Sequence, residues 1–143
     1  SRDGGAPARQ PEPGPSTRGL HDLRILLVED EFFLAEDLRS ALGGAGATVI
    51  GPASTLEAAM DLLAATPGLD GAILDIKLRD DFVFPLIAVI AALDMPYIFV
   101  TGYDRGIIPP SFSAAPFLRK PFTSRTLIEL VQQRFVSARR AGG

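Results

Sequence analysis

The stretch Leu23-Arg24-Ile25-Leu26-Leu27-Val28-Glu29-Asp30-Glu31 decides how the rest of the chain reads. Its first six residues form a short, nearly continuous apolar run. Such a run lacks the polar alternation of a strand with one wet face, and suits a strand covered on both faces in a parallel sheet. It stops abruptly at three consecutive acids. Downstream, Leu34, Leu38 and Leu42, with Ala35 and Ala41, repeat at helical spacing, and Gly43, Gly44 and Gly46 end that helix. One strand, an acidic turn and an amphipathic helix make the first unit.

The same alternation recurs. Residues 48–51 form a second strand, and Ser54-Thr55-Leu56-Glu57 has capping-box form, with Ser54 and Glu57 satisfying the free amides of a helix through Ala58, Ala59, Leu62 and Leu63. Pro67-Gly68 closes it. Gly71-Ala72-Ile73-Leu74-Asp75 is a third strand, followed by a polar turn over 77–81 and a helix over about 83–93, with Pro85 tolerated in its first turn. Residues 97–101 form a fourth apolar strand. Across 102–115 the pattern asks for another helix, but Pro109-Pro110 allow only about a turn. Phe117-Leu118 is a short fifth strand, Lys120-Pro121 a loop, and Thr123 or Ser124 caps a last helix through Leu127, Leu130, Val131 and Phe135.

Crossovers of this length imply right-handed connections and a parallel sheet with helices on both faces. The expected fold is therefore α/β, a flavodoxin-like (βα)5 three-layer sandwich with sheet order 2-1-3-4-5 and a short or irregular fourth helix. Residues 1–22, rich in Pro, Gly and Arg, bury too little to offset their ordering entropy and are expected to be disordered. The folded domain is expected over 23–138, with a solvated tail over 139–143 that includes Arg139-Arg140.

Composition narrows the function. A chain of 143 residues is the size of one domain. No cysteine is present, which removes thiolate metal sites and cysteine nucleophiles and fits a reducing cytoplasm. His21 is the single histidine, so no histidine triad or multi-histidine metal site can form within one chain. A net charge of -3 with interspersed signs offers no footprint for nucleic acid or an anionic membrane. No apolar run reaches the length of a membrane span.

In such a sheet the binding crevice lies beyond the carboxyl ends of the strands. Four ends carry chemically useful groups: Glu29 and Asp30, Asp75, Thr101, and Lys120. Three converging carboxylates repel unless a cation joins them, and hard oxygen ligands suit Mg²⁺. Lys120 adds positive charge and Thr101 a hydroxyl, so the site can answer phosphoryl oxygens. Asp75 is then the nucleophile, because a carboxylate can form an aspartyl phosphate. Taken singly, the three acids could equally be a solvated helix start, where negative charge meets the helix dipole. Phe32, Phe33, Phe82, Phe84 and Phe99 read as core or surface cover.

Leu26-Leu27-Val28-Glu29-Asp30-Glu31, Ile73-Leu74-Asp75, Val100-Thr101-Gly102 and Lys120-Pro121-Phe122 resemble the signature segments of two-component response-regulator receivers of the CheY-like kind. The resemblance covers residues 23 to about 138. It implies that Glu29, Asp30, Asp75 and the Lys77 main-chain carbonyl hold Mg²⁺, that Asp75 is phosphorylated by a histidine kinase or a histidine phosphotransfer protein, and that Thr101 and Lys120 read the phosphoryl group. Pro96-Tyr97-Ile98-Phe99-Val100-Thr101-Gly102-Tyr103 further resembles the Pro-Phe-x-Phe-Ala-Thr-Gly-Tyr motif of the alphaproteobacterial FATGUY single-domain receivers, with Tyr97 and Val100 as departures. That group is associated with a shortened fourth helix and with general stress signalling.

The resemblance also marks Phe117 as the position of the receiver switch aromatic, and Lys77 and Tyr103 as positions that govern access of hydrolytic water. Lys77-Leu78-Arg79-Asp80-Asp81 replaces the usual turn after the acceptor. The expected output is phosphorylation-dependent protein binding or phosphate-sink action by a stand-alone signalling protein, not an enzyme, with Ile107, Ile108 and Phe112 as candidate partner contacts. Two alternatives stand beside it. One is a receiver-like adaptor that needs no phosphorylation. The other is a Mg²⁺-dependent aspartyl-phosphate phosphatase, which would need a second acid where Lys77 stands. Oligomeric state is not legible.

Overall fold

The computed structural model describes residues 20–103, 105–112 and 114–142. Five parallel strands form one sheet: β1 (Arg24–Val28), β2 (Thr48–Ala53), β3 (Gly71–Leu74), β4 (Tyr97–Thr101) and β5 (Phe117–Arg119), in the order β2-β1-β3-β4-β5. This is the expected flavodoxin-like order. Side chains alternate through the sheet as the pleat requires. Leu26, Val28, Ala72, Leu74 and Phe99 face one layer, while Ile25, Leu27, Ile73, Ile98 and Val100 face the other. Both faces of the three central strands are dry, which is why β1, β3 and β4 read as unbroken apolar runs. Each of the larger side chains among them contributes about 1.5–3 kcal/mol on burial.

The first layer is closed by α2 (Leu56–Ala65), α3 (Phe84–Ala92) and the β4–β5 connection; the second by α1 (Phe32–Gly44) and α4 (Ser124–Val131). Helix α2 is capped by Thr55, whose hydroxyl accepts from the Ala58 amide at 3.0 Å, so the expected cap at Ser54 is corrected by one residue. That puts Glu57 at the second helical position, one short of the reciprocal capping-box place but still favourable at the positive end of the dipole. Thr123 caps α4 by accepting from Thr126. Pro85 lies in the first turn of α3.

The β4–β5 connection holds two short 3₁₀ turns, Arg105–Ile107 and Pro110–Phe112, where the prolines deny a helix its amides. The segment after β3 is more ordered than a polar turn. Lys77–Leu78 and Asp81–Phe82 pair antiparallel as a small hairpin around Arg79 and Asp80, and Leu78 is buried.

Both ends of the domain extend past the expected limits. Within the anticipated 1–22 extension, residues 1–19 lie outside the described residues, but Leu20 is fully buried in the α1/α4 layer, and the Asp22 amide donates to the Gly46 carbonyl. At the other end, α4 continues through a π turn (Gln132–Val136) into α5 (Ser137–Gly142), so the expected tail at 139–143 is helical through Gly142. Arg139 lies 3.7 Å from Asp70, whose other oxygen accepts the Arg24 amide. Leu127, Val131 and Phe135 are all buried and spaced four apart, wider than the 3.6 residues of an α-turn, and the under-wound π turn accommodates that spacing.

Phe135 is seated on Gly71 at the start of β3, where an added Cβ would lie only 2.5 Å from the ring. Gly71→Ala is therefore expected to destabilise the domain by about 1–3 kcal/mol through overpacking. Urea unfolding checks this, and combining the change with Phe135→Leu should recover part of the loss; simple additivity of the two would show that the contact does not matter.

Candidate functional site

Strand β1 ends in Glu29 and Asp30, and β3 ends in Asp75 because the Asp75 amide still bonds to the Val28 carbonyl at 2.9 Å. Adjacent parallel strands thus deliver their acids to the same sheet edge. Glu29, Asp30 and Asp75 each place a carboxylate oxygen within 4.8 Å of the others, and they form the single such metal-compatible group among the described residues. Glu29 is 1 % exposed and Asp75 7 % exposed.

Lys120 comes from the far side of the sheet. Its amide donates to the Thr101 carbonyl at 2.7 Å, which ties the loop after β5 to the end of β4, and the Lys120–Pro121 bond is cis. From there its ammonium donates to Asp75 Oδ2 at 3.1 Å and lies 3.3 Å from Glu29 Oε1. Burial alone would lower the Lys120 pKa, but the Asp75 and Glu29 carboxylates together outweigh it and hold the ammonium above its ordinary range. The lysine is charged at neutral pH.

The backbone satisfies the remaining oxygens. Glu29 Oε2 accepts from the Glu31 amide at 3.1 Å, Asp75 Oδ1 from the Lys77 amide at a long 3.4 Å, and Asp30 Oδ2 from the Arg79 amide at 2.9 Å. Thr101 is fully buried, and its hydroxyl accepts from the Tyr103 amide at 3.2 Å. Glu29 Oε1 is the exception: it is buried and has no hydrogen-bond partner, its contact with Lys120 being an ion contact only. A buried oxygen left in this state is costly. An oxygen-rich acid cluster with one orphaned carboxylate oxygen is a donor set that fits a hard divalent cation.

The predicted residues therefore divide. Glu29, Asp30, Asp75 and Lys120 converge, and Thr101 and Lys77 flank them on adjoining segments. Tyr103 is half-exposed, and Phe117 and Ile107 are half-buried against the α2/α3 layer. Ile108, expected as a partner contact, is 7 % exposed and packed in the core, because the 3₁₀ turns fold it inward. Sequence reasoning missed the Arg79 amide on Asp30. The two-residue spacing between Lys77-Leu78 and Asp81-Phe82 was the signal for it, being a hairpin loop length. Arg79 takes a left-handed φ of 42° there.

No protein-family model matches the chain, and no curated protein matches it. Solved structures do. SdrG from Sphingomonas melonis Fr1 shares 31 % identity, with a TM-score of 0.68 over 82 % of this chain and 95 % of that one. A response regulator receiver protein from Sinorhizobium medicae WSM419 shares 29 % identity, with a TM-score of 0.69 over 84 % and 98 %. The response regulator PhyR from Brucella abortus has the same fold at 22 % identity and a TM-score of 0.74; the match covers 89 % of this chain but only about half of PhyR, 53 %. Among the described residues no helix is long and apolar enough to cross a membrane.

Burial, with the Asp75 carboxylate as a second cause, pushes the Glu29 pKa up to about 7. A raised acid pKa means that Glu29 is protonated below that pH and free to ligate above it, so a proton competes with any cation. Mg²⁺ affinity, measured by calorimetry, is expected to drop roughly tenfold for each pH unit below neutrality and to level off above it. In Glu29→Gln the affinity should be lower and this slope absent; an unchanged slope would place the competing proton elsewhere.

Proposed function

We infer that this chain, which belongs to the response-regulator receiver family, accepts a phosphoryl group on Asp75 and signals through the change in protein binding that follows. The observation that carries the reading is the Lys120 ammonium seated on Asp75 Oδ2 at 3.1 Å inside an acidic cluster. A lysine there does nothing for an ordinary surface, but it answers both the attacking carboxylate and the charge it acquires.

The donor would be a phosphohistidine of a kinase or phosphotransfer protein. An Asp75 oxygen forms the new O–P bond, the N–P bond of the donor breaks, and the departing imidazole keeps the electron pair and takes a proton. Mg²⁺ held by Glu29, Asp30, Asp75 and the Lys77 carbonyl would supply neutralisation of the phosphoryl oxygens. The Asp75 main chain is fixed to β1 through Val28, so the nucleophile is positioned before the donor arrives. Lys120 stays protonated and close enough to follow the new charge, about -1.5 to -2 on the phosphoryl group. The Thr101 hydroxyl, now accepting from the Tyr103 amide, is the neutral donor nearest the β4 end and would exchange that contact for a phosphoryl oxygen.

That exchange pulls on the 102–115 segment. Its two 3₁₀ turns are short and of a geometry poorer than an α-helix, which makes them a suitable output element. The chain acts on this reading as a phosphoacceptor rather than a turnover enzyme. The resemblance of residues 96–103 to the FATGUY motif supports general stress signalling as its pathway.

Incubation with a small-molecule phosphodonor and Mg²⁺ should add one phosphoryl mass to the wild type and none to Asp75→Asn; equal gain in both, or none in the wild type, excludes the reading. Lys77 and Tyr103 reach the site through their main-chain amides, and each carries a long or bulky side chain from beside it. Replacing either by Ala is expected to shorten the lifetime of the phosphorylated form several-fold, followed by mass over time, and an unchanged decay would remove them from that role.

A further inference from the structure

Three aromatic rings from three different elements stack into one column beside the acidic site. Phe82, on the second arm of the hairpin, lies over Phe84 with ring centroids 5.6 Å apart and planes 7° from parallel. Phe84, the first residue of α3, lies over Phe112 at 5.7 Å and 5°. Phe112 closes the second 3₁₀ turn of the β4–β5 connection. Offset parallel stacking in this distance range is a favourable arrangement for aromatic pairs. The column stands at the edge of the α2/α3 layer, with Phe82 exposed and Phe84 and Phe112 half-buried.

Both of its ends are tied to something that can move. At the outer end, the Lys77 ammonium sits 5.4 Å from the centre of the Phe82 ring, a cation–π contact. The amide of the same residue reaches Asp75, and the hairpin tip reaches Asp30 through Arg79. At the inner end, the Phe112 amide donates to the Pro109 carbonyl at 2.9 Å, and the Phe112 carbonyl accepts from the Ala115 amide at 3.0 Å. A displaced Phe112 ring therefore carries its 3₁₀ turn with it.

We propose that this column is a route, additional to the β4 end, by which charge arriving at Asp30 and Asp75 is transmitted through the hairpin to Phe112 and the β4–β5 connection. It rests on the phosphoacceptor reading given above. Lys77 has two alternative seats. Over Phe82 it is held only by the ring quadrupole, whereas a phosphoryl group two residues away offers a charge-assisted partner, which is the stronger of the two. Charge on Asp75 draws the ammonium off the ring and shifts the hairpin that Asp30 and Asp75 both hold. Phe82 then loses its cation and changes its stacking on Phe84, and the change reaches Phe112. The two seats of Lys77 supply the bistable element that coupling between separated sites requires.

Amide NMR of the full chain, with Mg²⁺ and beryllium fluoride as a phosphoryl mimic, tests this. In the wild type the mimic should shift the amides of Lys77, Phe82 and Phe112 together. In Phe84→Leu, which interrupts the column, the Lys77 shift should persist while that of Phe112 collapses. Phe82→Leu, at an exposed position that does not threaten folding, should do the same. A Phe112 shift as large in both variants as in the wild type, or a wild-type shift at Lys77 with none at Phe112, overturns the column alone. If the mimic moves nothing at Lys77 in the wild type, the phosphoacceptor reading falls and takes this proposal with it.

Discussion

Everything at the carboxyl edge of the sheet depends on one ammonium group. Glu29 and Asp75 are almost wholly withdrawn from water and stand close together, an arrangement that costs several kcal/mol per ion when nothing answers it. Lys120 answers both, at 3.3 and 3.1 Å, and is itself held charged by them. The compensation is partial: Glu29 Oε1 keeps no hydrogen bond, and its carboxyl rises to about pH 7. A carboxylate cluster stabilised only in part is a donor set that suits a further cation.

The scaffold around that site is anchored in the sheet and flanked by shorter elements. Strands β1, β3 and β4 are buried on both faces, and their ends are tied to one another through Val28–Asp75 and Thr101–Lys120 main-chain bonds. The main chains that carry Asp75 and Lys120 are thereby fixed by the sheet. Around this edge lie two segments outside the main sheet, the 77–82 hairpin and the β4–β5 connection with its 3₁₀ turns. Each donates a main-chain hydrogen bond directly to the site, to Asp30 and Thr101 respectively, and the stacked phenylalanines bridge the two. The segments outside the main sheet are therefore the ones bonded to the acidic site.

Several features were legible before any coordinates. Unbroken apolar runs such as Ile25-Leu26-Leu27-Val28 reported a doubly covered sheet, and the acids, hydroxyl and lysine at strand ends reported the site. Pro109-Pro110 reported the missing helix, since proline removes amides wherever it stands. Other features were not legible. Ile108 resembled a contact residue because exposure is a property of the folded surface, and the 3₁₀ turns bury it. Leu20 looked like linker because its partners in the α1/α4 layer are remote in the chain. Ser54 and Thr55 are chemically interchangeable caps, and only the helix phase selected between them.

Local chemistry written into the chain thus determined the strand and helix alternation, the class of fold and which polar residues stand at the strand ends, because periodicity and residue type act over a few neighbours. Tertiary structure alone decided which carboxylate Lys120 touches, that Glu29 keeps an orphaned oxygen, that Arg79 supports Asp30, and that Phe82, Phe84 and Phe112 stack. Arg79 and Asp30 stand 49 residues apart and Lys120 and Glu29 farther still, and no local rule carries such contacts. They arise only when the sheet closes and brings the strand ends to one edge.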